Sequence, residues 1–163
     1  MIVADSAPLI HLNKMGRLDL LKKLYGKIVI PQGVWDEVVT EAQGRPGASE
    51  LETGVSEDWI KAEKVTLPKR LLSEGAEGVD AQVIALAKKM SLPLLTNDRA
   101  LATTARTAGV ELRWLTQAVI EASRKRILST PEACSLLRDL VRAGLRIRSE
   151  VLAEAVHMIE DRD

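Results

Sequence analysis

Leu92-Pro93-Leu94-Leu95-Thr96-Asn97-Asp98 is a short apolar run that closes on three polar residues, the last of them an acid. Its length and its bounding residues fit a strand buried on both faces, as in a parallel sheet covered by helices. Ile2-Val3-Ala4-Asp5 has the same form at the start of the chain, and Lys27-Ile28-Val29-Ile30 is a third apolar run, ended by Pro31. If these runs are parallel strands, Asp5 and Asp98 share one edge of the sheet, where open α/β folds place their ligand sites.

Working outward, the chain alternates strands and helices. Strand 2–5 is followed by helices over 8–14 and 17–25, strand 27–30, and a helix over 31–42 with Pro31 at its first position, where a missing N–H costs nothing. Trp59-Ile60-Lys61-Ala62-Glu63-Lys64-Val65 alternates apolar and polar residues as a half-buried strand does. In 76–90, Val79, Val83, Ile84 and Ala87 share one helical face. Strand 92–97, helix 99–108 ended by Gly109, strand 110–115 and helices over 116–127, 131–143 and 149–160 complete the order. This pattern predicts an α/β fold with a mainly parallel sheet and helices on both faces. No strand separates the last two helices, which read as a C-terminal α-hairpin (128–163) added to a core over 1–127. Residues 46–57, with Gly47 and Gly54, read as the most mobile segment.

The 163 residues suit one domain, and 46% apolar content supplies a sizeable core. No apolar run reaches the roughly 18 residues of a membrane span. The N-terminus lacks a basic region before its apolar residues, so no signal peptide is expected. The single cysteine, Cys134, allows no internal disulfide and suits the cytoplasm. The net charge is zero but unevenly placed: residues 1–98 carry 12 Lys/Arg against 14 Asp/Glu, 99–148 carry 10 against 4, and 149–163 carry 1 against 5. A basic segment beside an acidic pocket suits a metal-dependent enzyme acting on a polyanion; charge scattered over solvated helix faces explains the counts as well.

Four acids stand where the topology would gather them: Asp5 and Asp98 at strand ends, Glu37 and Asp80 in helices that follow strands. Singly, each has an ordinary role. Asp5 and Asp98 suit helix N-caps, Glu37 suits a helix surface beside Val34 and Val38, and Asp80 complements a helix dipole. Glu77 precedes Asp80 by three residues and shares its face, so either serves as the third ligand. Together the acids repel, two unit charges about 4 Å apart costing roughly 4 kcal/mol. Oxygen donors with no His or Cys cluster favour Mg²⁺ or Mn²⁺ over zinc, and such ions activate water and bind phosphoryl oxygens.

Competing chemistries lack their parts. There is no Walker-type glycine loop, no Gly-x-Gly-x-x-Gly after the first strand and no Gly-x-Ser-x-Gly elbow, and His11 and His157 lie far apart. Asp5 is followed by Ser6-Ala7, so the Asp-x-Asp nucleophile of a phosphotransferase is missing. His11, Cys134, Trp35, Trp59 and Trp114 read as packing residues, and Arg124-Lys125-Arg126 as a solvated helix end.

These residues resemble the PIN-domain family of small Mg²⁺/Mn²⁺-dependent nucleases, which includes the VapC-type toxins. Over roughly 1–127, Ile2 to Ile10 is similar to the family's first motif, Val34-Trp35-Asp36-Glu37-Val38 to its second, Asp80 to Ala87 to its third and Leu94 to Arg99 to its fourth. The Ser6-Ala7-Pro8-Leu9-Ile10 stretch, Gly16 to Leu21 and the terminal hairpin are similar to a poorly characterised prokaryotic branch. The resemblance implies an α/β/α sandwich and an acidic pocket in which Asp5, Glu37, Asp80 and Asp98 hold Mg²⁺ or Mn²⁺. Ser6, Glu77, Thr96, Asn97 and Arg99 would support them. It further implies an RNA substrate, a protein antitoxin as partner and a homodimer. Two positions depart from the pattern. Ala7 stands where the family often has Ser or Thr, and Ala100-Leu101 follow Arg99 where a further acid is common; a weak second metal position and slow turnover are the expected consequences. The alternative expectation is a non-catalytic module of the same fold that binds nucleic acid or protein.

Overall fold

Burial of the first strands organises the molecule. A computed structural model describes residues 1–45, 47–70 and 78–161. β1 (Ile2–Ala4) and β2 (Ile28–Pro31) are buried at every residue, so both faces of the sheet centre are covered. The remaining strands are β3 (Ile60–Glu63), β4 (Leu94–Leu95) and β5 (Leu112–Arg113). All pairings are parallel, in the order β3-β2-β1-β4-β5. β1 pairs Val3 with Val29 on one side and with Leu94 on the other. The chain builds outward from β1 in one direction and then returns to its other side, so the switch point lies between the ends of β1 and β4. Asp5 and Asp98 follow those two ends.

The helices are α1 (Ser6–Lys14), α2 (Asp19–Tyr25), α3 (Gln32–Ala42), α4 (Ala48–Ser56), α5 (Gly78–Met90), α6 (Arg99–Thr107), α7 (Leu115–Arg124), α8 (Thr130–Arg142) and α9 (Ser149–Glu160). α5 packs against β1, β2, β4 and α3, and α1 against α3. The fold is an α/β/α sandwich with a parallel sheet. The last two helices pack on each other and on α7, and Leu137, Leu140 and Ile159 join one apolar core with the sheet residues.

Several elements differ from the expectation. α4 occupies most of the stretch read as mobile: Leu51 is buried, and Gly54 lies so close to Ile60 and Trp59 that a Cβ there would collide with them. Its sequence hides it, because Gly47 at φ 108° begins the helix in place of a capping side chain. α1 begins at Ser6 rather than Pro8, because the Asp5 side chain accepts from Ser6 N and caps the helix there. Pro8 then falls in the first turn, where its N–H is not needed. β4 and β5 keep only two residues each, since pairing ends where the chain turns into α6 and α7. Trp59 is buried and Trp35 packs against the core, as expected, whereas Trp114 lies outside that core.

Candidate active site

The site is built around one buried acid. Asp5 is 7% exposed, directly after β1, and three bonds fix it. Its Oδ1 accepts from Ser6 N at 2.8 Å and from Ser6 Oγ at 3.4 Å, and its Oδ2 accepts from Thr96 Oγ1 at 3.2 Å. Burial pushes the Asp5 carboxyl up from 3.8 to about 6; the bond from Ser6 N opposes this, and the charges of Asp80 and Asp98 add to it. Thr96 is itself wholly buried and accepts from Asp98 N at 3.0 Å, so one hydroxyl ties the two acids at the switch point together.

Three further carboxylates form an open rim. Asp98 caps α6 by accepting from Leu101 N at 2.9 Å. Glu37 projects from α3 and accepts from Ser6 Oγ; that hydroxyl has one proton, shared between Glu37 and, at the longer distance, Asp5, so Ser6 joins the second acid to the first. Asp80 lies in the first turn of α5, and its carboxyl is held above the ordinary range by burial, then by the charges of Asp98 and Glu37. α3 and α5 approach closely because residue 33 is glycine. Gly33 N donates to Gln82 Oε1 at 3.2 Å, and a Cβ at Gly33 would lie 2.9 Å from both Gln82 Oε1 and Val79 Cγ2. Glu37 and Asp80 are thereby brought within electrostatic reach.

Asn97 does structural work at the same edge. Its Oδ1 accepts from Leu115 N at 3.1 Å and fixes the start of α7, while its buried Nδ2 has no partner among the described residues. Arg99 opens α6 on the exposed side of Asp98 and lines a cleft of about 750 Å³ with Asp98, Ala7 and His11. Glu77, the other candidate for the third ligand, lies outside the described residues. Sequence reasoning passed over Gly33 and Gln82, whose spacing carries no motif; it passed over the link from Ser6 to Glu37 because the two are 31 residues apart.

The four carboxylates have no Lys or Arg ion-pair partner among the described residues. Nor do any three Asp, Glu, His or Cys side chains among those residues stand close enough to hold an ion jointly as positioned. By charge and donor type the set is of the kind a hard divalent cation takes.

A family model described as a PIN domain (DUF3368) matches residues 1–161. The chain belongs to the PIN-domain family. A solved PilT N-terminus domain protein from the hyperthermophilic archaeon Sulfolobus solfataricus P2 is similar over 72% of this chain and 90% of its own, at 14% identity and a TM-score of 0.44. No curated protein matches. PIN domains are generally nucleases that bind nucleic acid and typically use divalent metals, so the family places this chain among nuclease-type folds. No helix among the described residues is long and apolar enough to cross a membrane.

Proposed function

We propose that this PIN-domain protein is a Mg²⁺- or Mn²⁺-dependent endoribonuclease, acting in the cytoplasm as the toxin of a toxin–antitoxin pair. One observation carries the reading: a buried Asp5, raised to about 6, faces Asp80 and Asp98 at the switch point of a parallel sheet, with no cationic partner among the described residues. A fold that keeps uncompensated acids together at that edge spends stability there, and a cation-binding site gives that cost a use.

In this mechanism Asp5, Glu37, Asp80 and Asp98 would hold the metal. When bound, the ion supplies charge stabilisation at the phosphoryl oxygens and a more acidic water. Asp5 forms the fixed floor, because Ser6 N and Thr96 Oγ1 hold both of its oxygens. Ser6, bonded to Asp5 and Glu37, orients the rim acid that α3 supplies. It lies beside Ala7, the position where the family often has a hydroxyl. Thr96 sets the distance between Asp5 and Asp98, and Asn97 anchors the start of α7. Arg99, next to Asp98, attracts the RNA backbone.

The reading includes a homodimer and a protein antitoxin that covers the acidic pocket. The test is RNA cleavage by the pure protein in Mn²⁺ against the same reaction in EDTA. Metal-dependent cleavage supports the reading. Metal binding without cleavage of any RNA supports a non-catalytic module of the same fold.

A further inference from the structure

Beyond Arg99, three further arginines form a second feature that the carboxylate site does not use. A cleft of about 540 Å³ opens where α6, α7 and α9 meet the connection between α8 and α9. It adjoins the cleft that holds Asp98, and Asn97, Arg99, Arg146 and Arg148 line both. Arg106 joins them in the outer cleft. Among the described residues none of Arg99, Arg106, Arg146 and Arg148 is in an ion pair with an Asp or Glu, although Lys14, Lys22, Lys23, Lys27, Arg113 and Lys125 all are. The one acid lining the cleft is Glu154.

The floor is of a different kind. Ile120, Val151, Ala155 and Met158 line it, and Met158 is 38% exposed. Trp114 stands at its side, outside the core, with the Arg106 guanidinium 5.8 Å from its ring centroid. The cleft also meets the start of α7, where Thr116 and Gln117 in the first turn line it and the helix dipole adds positive potential. Unpaired cations around an apolar floor with an indole at the side match a single nucleic-acid strand, whose phosphates are anionic and whose base faces are apolar. A duplex keeps those faces stacked internally and gains nothing from the floor.

The geometry points to this cleft as the track for single-stranded RNA on one side of the scissile phosphate, with Arg106, Arg146 and Arg148 on successive backbone phosphates and Trp114 against a base. The inference rests on the nuclease reading for the identity of the anion. Continuity with Asp98 favours a strand over a separate protein ligand, because the cations begin beside the carboxylates and lead away from them. Arg106, Arg146 and Arg148 are all exposed, so their replacement leaves the core intact.

The test separates the track from the chemistry. Binding of a fluorescein-labelled single-stranded RNA 12-mer, and of a blunt duplex of the same sequence, is measured by anisotropy in EDTA at several salt concentrations. Hydrolysis of bis(p-nitrophenyl) phosphate in Mn²⁺, a substrate too small to reach the cleft, reports on the carboxylates alone. The expected result is preference for the single strand and at least a tenfold loss of affinity in the R146A/R148A double variant. The slope of log Kd against log salt should fall by about 1.4, the value for two lost phosphate contacts on a single strand. Trp114→Phe should abolish the quenching of tryptophan fluorescence by the RNA.

Wild-type affinity and salt slope in the double variant, or no saturable RNA binding by the wild type, overturn the track whether or not the small diester is hydrolysed. Binding of an acidic amphipathic peptide that RNA does not displace overturns it too, and makes the cleft a protein-docking surface. Loss of RNA binding in the double variant, with no hydrolysis of the small diester, keeps the track and removes the nuclease.

Discussion

Thr96 Oγ1 donates to Asp5 Oδ2 at 3.2 Å across 91 residues of chain, and the same oxygen accepts from Asp98 N at 3.0 Å. The hydroxyl is wholly buried. A single side chain therefore sets the geometry of the acid at the end of β1 against the acid at the end of β4. Replacing it by the isosteric valine leaves Asp98 N without its acceptor and Asp5 Oδ2 without its donor. Thr96→Val should cost about 1–3 kcal/mol in urea unfolding, the penalty for a stranded buried polar group. RNA cleavage should fall well beyond what any unfolded fraction explains.

The pH dependence follows from Asp5. Its carboxyl titrates near 3.8 when unfolded and at about 6 in the fold. An acid whose folded value is raised binds more protons in the folded state between those values, so stability falls as pH rises from about 4 to 6. For a group this buried the loss is roughly 3 kcal/mol. Asp80 pushes in the same direction. Thermal unfolding in EDTA should show the lower melting temperature at pH 7.5 and the higher one at pH 5, and Asp5→Asn should flatten that difference. Mn²⁺ should erase the difference: at 100 times its Kd it adds about 2.7 kcal/mol at pH 7.5, and less at pH 5, because it binds only the ionised carboxylates.

Asp5→Asn separates function from stability. Asparagine keeps the acceptor for Ser6 N and removes the buried charge that Asp80 and Asp98 oppose. In EDTA at pH 7.5 the variant should match or exceed wild-type stability, by up to roughly 3 kcal/mol. Its melting temperature should no longer respond to Mn²⁺, and cleavage should be lost. A variant more stable than wild type and inactive is the signature of a site kept at a cost to the fold.

Gly33→Ala tests how α3 is held against α5. The new Cβ would lie 2.9 Å from Val79 Cγ2 and from Gln82 Oε1. Gln82 can swing away only by giving up its bond to Gly33 N, and Val79, packed against the core, must shift as well. Overpacking of this kind costs about 1–3 kcal/mol, readable by urea unfolding. By moving Glu37 away from Asp80 it should also weaken Mn²⁺ binding. Unchanged metal affinity in a folded G33A protein would remove Glu37 from the ligand set.

Much of this architecture is legible in the residues, for reasons that differ by element. β1, β2 and β4 announce themselves because strands buried on both faces must be continuously apolar, and Asp5 and Asp98 are conspicuous as acids closing such runs. α4 is hidden because its start depends on the backbone of Gly47 and it buries only Leu51 and Gly54, so no apolar stripe contrasts with a loop. The short pairing of β4 and β5 is hidden because ladder length depends on where neighbouring strands bend. At the site, the acids are visible as residue types, but the buried floor of Asp5 and the open rim of Asp80, Glu37 and Asp98 emerge only from packing. The links from Ser6 to Glu37 and from Thr96 to Asp5 join distant segments and leave no spacing to read.

In the proposed function the acids around Asp5 perform metal-dependent hydrolysis of RNA. It is tested most directly with end-labelled RNA incubated with wild type and Asp98→Asn in Mn²⁺, and with wild type in EDTA. Asparagine retains the cap on α6, so the variant should fold and melt like the wild type. Discrete products should appear with wild type in Mn²⁺ alone, and none with Asp98→Asn or in EDTA. Cleavage by Asp98→Asn at the wild-type rate, or cleavage undiminished in EDTA, would contradict it.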